Sequence, residues 1–240
     1  MPSQMEKIEA HASHLLDTFI RLRERYSLLE PMLFQEQVCK LRGSGKQARG
    51  FLTLRHSLFL SCAQDIAKLS LDNDKRTPSI KNLMASLDDT ALCEMLCERF
   101  ATWHVPLAEE ETDPEILAAL RRMELREEVE RRTQFDEILS RTRQAWDTFS
   151  SAPFLAGFLT IRDKVTAHTE VQHIADKYQF VNIGTLDIKW SDMQKAIDLM
   201  QHLVENLNLL IRNAGFAWDM LDEQLSKASN AFWLPADSAA

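Results

Sequence analysis

A seam of apolar residues runs through the last fifth of the chain: Met193, Ile197, Met200, Val204, Leu207, Ile211, Ala214, Trp218, Leu221 and Leu225. Their steps alternate between four and three. That spacing places side chains along one side of an α-helix, and its persistence demands a facing surface. The surface must come from the same chain or from a second copy. With Ser191 read as a cap, the spacing predicts one long final helix.

The same period recurs upstream. Ile8, Leu15, Phe19, Leu22, Tyr26 and Leu29 share one stripe and predict a helix over residues 4–41, with Pro31 able to kink or break it. Gly43-Ser44-Gly45 reads as a turn or helix junction. A second helix is expected over 46–69, from Phe51, Leu54, Leu58, Phe59, Cys62 and Ile66. The polar segment from Asp72 to Pro78 is a loop, followed by a short helix capped by Ser79 or Thr77. Asp88-Asp89 begins another helix, which ends before Pro106. Asp113 followed by Pro114 reads as an N-cap with proline at the first helical position. The charged segment 114–150 has interleaved signs, which suits a solvated helix laced with pairs; an RNA track along its arginines is the second reading. Pro153 opens a helix over 153–169. Only Tyr178 to Ile188 has strand-like alternation, with Gly184 as a turn, and it predicts an extended loop or small hairpin. The fold class is therefore all-α, a bundle of long antiparallel helices with one hairpin-like connector near 178–188.

Composition narrows the function. Only 6 glycines and 7 prolines interrupt 240 residues, and 45% hydrophobic residues are enough for a sizeable core. The net charge of −8 argues against a broad surface for gripping duplex nucleic acid, although a local basic pocket remains compatible with it. No apolar run approaches the roughly 18 residues of a spanning helix. The first residues lack the pattern of a signal peptide. A cytoplasmic protein with reduced thiols and no membrane partner is expected. Cys39, Cys62, Cys93 and Cys97 make no paired metal-binding spacing, and packing accounts for Cys93 and Cys97 one turn apart. His11 and His14 supply too few ligands for a metal. Arg55 either pairs with an acid or lines a phosphate cleft. The five tryptophans are scattered as packing residues rather than as a base-stacking platform. No metal and no cofactor are expected.

One segment carries chemistry: Arg162-Asp163-Lys164-Val165-Thr166-Ala167-His168. A histidine titrates near neutral pH and can move a proton. An arginine stays charged and presents a planar fork to phosphate oxygens. Together they supply what metal-free cleavage of an RNA phosphodiester requires. Regular geometry opposes this, because six α-helical steps leave the two side chains about 120° apart around the axis and about 9 Å along it. The site then needs a distorted helix end, the reach of the arginine, or residues from a second copy. The alternative is an arginine paired with an acid beside a core histidine.

The segment resembles the motif of the HEPN superfamily (higher eukaryotes and prokaryotes nucleotide-binding), an arginine followed by a polar residue with a histidine a few positions on. Its opening and its Ala-His ending are similar to the U-type abortive-infection branch. So are GFLTLRHSLFLSCAQDIAKLSLDN over 50–73 and SIKNLMASLDD over 79–89. The resemblance covers roughly residues 45–215. It implies a bundle that dimerises, with the motifs of both copies converging in the cleft. It also implies a metal-independent endoribonuclease of phage defence or a toxin–antitoxin system. On that reading Arg162 contacts the scissile phosphate, His168 is the general acid or base, and Asp163 orients the arginine. RNA is the substrate, and an antitoxin or defence-system protein is a partner. One feature departs from the pattern: Glu170 stands where some of these toxins carry a tyrosine that a partner enzyme modifies. The competing expectation is a non-catalytic helical binding module, suggested by the seam and the acidic surface. The expected division is an N-terminal helix, 1–44, packed on a HEPN-like domain, 45–228, with a disordered tail, 229–240.

Overall fold

The computed structural model describes residues 3–105, 112–166, 171–174, 177–181 and 183–234. Helix dominates them. The first helix, α1 (Gln4–Phe34), starts in a capping box: Glu6 N–H donates to Ser3 Oγ, and Ser3 N–H donates to the Glu6 carboxylate at 2.6 Å. Its stripe from Ile8 to Leu29 is buried as the periodicity requires. The expected single helix over 4–41 is divided. Pro31 lies within the last turn of α1, and the break falls at Gln35, whose backbone is extended (φ −93°, ψ 108°), before α2 (Glu36–Arg42). Proline has no N–H for the carbonyl four residues back, so the Ser27 carbonyl is free to accept from elsewhere.

Helix α3 (Ala48–Leu71) packs on α1, then the chain turns through the polar loop into α4 (Ile80–Ser86) and α5 (Thr90–Ala101). The caps are those the sequence predicts. Asn82 N–H donates to Ser79 Oγ at 3.2 Å, and Leu92 N–H donates to Asp89 Oδ1 at 3.2 Å. Asp113 likewise accepts from Glu115 N–H at 2.8 Å, with Pro114 opening α6 (Pro114–Ser150). Three of the arginines of α6 bond within the chain. Arg131 donates to the Phe100 carbonyl that ends α5 and to Asn213, Arg132 pairs with Glu128, and Arg143 donates to the Leu87 carbonyl. Residues 106–111 and 235–240 lie outside the described residues, whereas 229–233 of the expected tail form the end of the last helix, with Ser229 and Trp233 buried.

Helix α7 (Phe154–Thr160) passes into a π-helical turn, Ile161–Thr166. Strands β1 (Val171–Ile174) and β2 (Lys177–Phe180) pair antiparallel, Val171 opposite Phe180 and Ile174 opposite Lys177. The hairpin thus opens earlier than the alternation from Tyr178 suggests, and Ile183–Thr185 forms a 3-10 turn.

The final seam is where the structure departs most from expectation. Helix α8 (Trp190–Arg212) ends at Asn213 in the left-handed conformation (φ 50°, ψ 40°), and α9 (Trp218–Trp233) follows after a break. The expected cap Ser191 lies inside α8. The helix starts instead at Lys189, whose N–H donates to Asp192 Oδ2 at 2.9 Å. Asparagine tolerates the left-handed region better than other residues bearing a Cβ, and Arg99 donates to the Ile211 carbonyl at the same end. Met193, Ile197, Met200, Val204, Leu207 and Ile211 are all buried in the main core against α1 and α6. The facing surface that the seam demands therefore comes from the same chain. A satellite core of Met32, Val38, Phe51 and Trp233 joins α9 to the end of α1 and the start of α3.

Candidate functional site

The Arg162 segment is positioned by burial on one side and by a close crossing on the other. Leu155, Phe158 and Ile161 are buried in the main core and anchor α7 and the π turn, which packs against α3. The connector from Ile183 to Ile188 lies over α7 at Gly157, where a Cβ would stand 2.6 Å from Ile188 side-chain atoms and 3.4 Å from the Leu186 carbonyl. Only glycine lets the two segments approach this closely.

At the turn itself the backbone leaves regular α geometry. A π turn accommodates an extra residue per winding and recurs at functional positions in helices. Thr166 Oγ1 donates to the Arg162 carbonyl at 3.0 Å and to the Ile161 carbonyl at 3.3 Å, occupying acceptors that the widened turn leaves in reach. Ile161 points into the core, and Val165 packs at its margin. Arg162 is on the other side, its side chain 22% exposed, with Nε 2.6 Å from Asp163 Oδ1. The pairing fixes the guanidinium plane while leaving part of the fork open to solvent.

The structure thus brings Arg162 and Asp163 together. His168 lies outside the described residues, as do Ala167, Thr169 and Glu170. The backbone is distorted over Ile161–Thr166, beginning one residue before the arginine.

Other residues singled out in the sequence occupy ordinary structural places. Arg55 is half-buried and His56 exposed on α3; His11 is half-buried and His14 exposed on α1. Burial, with Lys7 and His14 nearby, lowers the pKa of His11. The four cysteines are free thiols, and burial pushes Cys62 up to about 12. Among the described residues no group of three or more His, Cys, Asp and Glu side chains is arranged to hold a metal ion. Trp218 and Trp233 are buried, and Trp190 packs edge-on against Phe59 at 5.0 Å. A polar cavity between α1, α8 and α9, lined by Arg23, Tyr26, Glu30, Asp198 and Asp222, is not apparent from the sequence. Its residues are distant along the chain; a polar or charged residue on each of the three helices beside an apolar stripe is the only trace they leave.

In sequence the chain is similar to the proteins of the HEPN superfamily. The family model that matches is the AbiU2 family of that superfamily, over residues 5–232, and the chain belongs to this family. The match runs from the first turn of α1 into the last turn of α9. No curated protein matches, and no solved structure matches. No helix among the described residues is long and apolar enough to cross a membrane.

Proposed function

We propose that this protein is a metal-independent endoribonuclease of the abortive-infection kind. The 2′-oxygen of one nucleotide attacks the adjacent phosphorus, and the bond from phosphorus to the 5′-oxygen of the next nucleotide breaks. The products carry a 2′,3′-cyclic phosphate and a 5′-hydroxyl. His168 takes the proton from the 2′-hydroxyl or returns one to the leaving oxygen. Arg162 balances the charge that accumulates on the phosphoryl oxygens, and Asp163 orients it. Two copies of the chain meet so that both motifs face one cleft.

The observation that carries this reading is the Arg162–Asp163 pair on the π turn, in a chain of the AbiU2 family. The test is incubation of total RNA with wild-type protein, Arg162→Ala and His168→Ala in the presence of a chelator. Wild type is expected to cleave, and both variants to lose at least 100-fold of the rate while keeping the helical circular dichroism signal. Unchanged cleavage by His168→Ala ends the proposal.

A second reading, a non-catalytic module that binds a protein partner, is favoured by the same ion pair: Asp163 already neutralises much of the charge that a phosphate would seek. The apolar seam no longer speaks for it, since α1 and α6 cover that surface. Asp163→Asn separates the two. Loss of the carboxylate should strengthen RNA binding where Arg162 holds a phosphate and leave it unchanged where it does not.

A further inference from the structure

Near its C-terminal end α1 meets α8 and α9 around a cavity of about 300 Å³. Glu30 comes from α1, Asp198 from α8 and Asp222 from α9, with Arg23 as the facing cation. The carboxylates act on one another: Asp198 and Asp222 on Glu30, and Asp222 on Asp198. Arg23 is already engaged, donating to Asp222 and to Gln201. His202 on α8 is the other base whose charge reaches Asp198. Three carboxylates around one guanidinium leave surplus negative charge. Burial, the largest influence, pushes both Glu30 and Asp198 above their ordinary range.

A second observation is independent of the acids. Tyr26 lines the same cavity, is 6% exposed, and has a buried hydroxyl with no hydrogen-bond partner. Glu30, Asp198 and Arg23 of the cavity lining act on that hydroxyl, as does Cys62 of the core. Buried hydroxyls are ordinarily bonded, so this one points to a partner supplied from outside. A third observation concerns α1 itself. It is 31 residues long and has no basic residue in its last turn, so its negative end is not offset, and Pro31 and Gln35 beside that end line the cavity.

The chemistry selects the occupant. Among the described residues the acids do not converge in a metal-holding arrangement. The cavity is also bordered by hydroxyl and amide side chains, Ser226 and Asn230 among them. We propose that this cavity binds an organic cation, a primary ammonium or guanidinium group, with Glu30, Asp198 and Asp222 as counter-charges and the Tyr26 hydroxyl as a hydrogen-bond partner. Such a group comes either from a free polyamine or from a basic side chain of a partner protein. Its binding ties the ends of α1, α8 and α9 together, so occupancy is read as stability as well as affinity.

Calorimetric titration of the full chain with spermidine, with the peptide acetyl-Gly-Arg-Gly-amide and with Mg²⁺ at fixed ionic strength tests this. Saturable one-to-one binding of spermidine or of the peptide is expected, and the tighter of the two identifies the source. The double variant Glu30→Gln/Asp198→Asn should bind at least tenfold more weakly and Tyr26→Phe severalfold more weakly. The ligand should raise the melting temperature of wild type and not that of the double variant. Should the double variant fail to fold by circular dichroism, Asp222→Asn and Tyr26→Phe serve in its place. Absence of saturable binding, equal affinity in folded variants, or tighter binding of Mg²⁺ than of either organic cation overturns the assignment.

Discussion

The carboxyl of Glu30 is an example of a residue whose folded surroundings oppose its charge. Burial raises its pKa first; Asp198 and Asp222 add to this and Arg23 opposes it. A carboxyl raised in the folded state contributes stability that is fully present below its unfolded pKa, about 4.3, and is lost as pH rises through the folded value. Asp198 behaves in the same sense, with Arg23 and His202 opposing the shift. Glu30→Gln is therefore expected to melt at or above the wild-type temperature at pH 7, with the difference vanishing near pH 4. A variant that melts well below wild type at pH 7 would contradict this. Asp89 has the opposite sign, its pKa held down chiefly by the Leu92 N–H, so its contribution is lost as pH falls. Packing sets another residue, Gly157. Replacing it with alanine puts a methyl group against Ile188, at an expected cost of about 1–3 kcal/mol, read by urea denaturation. Because α7 leads directly into the π turn, the variant should also lose the proposed RNA cleavage.

Among the elements, α9 depends on a defect in α1. Pro31 deprives the Ser27 carbonyl of its helical donor, and the Ser229 hydroxyl of α9 fills the vacancy at 2.6 Å. One turn further, Trp233 Nε1 donates to the Leu28 carbonyl at 3.0 Å, and its ring packs edge-on against Phe51. Ser229→Ala leaves a carbonyl unsatisfied and should cost about 1–3 kcal/mol. Trp233→Ala removes both the bond and the satellite core and should cost about 3–5 kcal/mol. Faster amide exchange confined to α9 in either variant is the signature of a detached helix; uniform exchange across the chain would count against it. These attachments also explain what the sequence conceals. Helix starts at Ser79, Asp89 and Asp113 are legible because each cap acts on an N–H within a few residues. The break at Gln35 is signalled by Pro31 without its position being fixed, and that at Asn213 is not legible, because the apolar period runs on past it. What ends the helices there is tertiary: α9 docking on the α1 backbone, and Arg99 and Arg131 reaching across to the end of α8.

At the scale of the whole molecule, the question is which surface a second copy would use. Arg162 and Asp163 are legible in the sequence as part of a short string of residue types, whereas the π turn that presents them depends on burial of Ile161 and on the crossing at Gly157. The seam is equally visible, but its partner is not, since a heptad period fits an internal neighbour as well as an external one. The structure assigns it inward: Val204 is 1% exposed, while Val129, on the N-terminal half of α6, is 66% exposed. The two valines give the discriminating experiment. Were the seam a subunit interface, Val204→Asp would yield a folded monomer. With the seam inside the core, the buried carboxylate has no partner, and the variant should unfold or lose about 3–5 kcal/mol. Val129→Asp should stay within about 0.5 kcal/mol of wild type. Light scattering after gel filtration, together with thermal melts, reads both. A well-folded monomeric Val204→Asp beside a dimeric wild type would place the subunit contact on α8 and remove the case for pairing through the Arg162 turn.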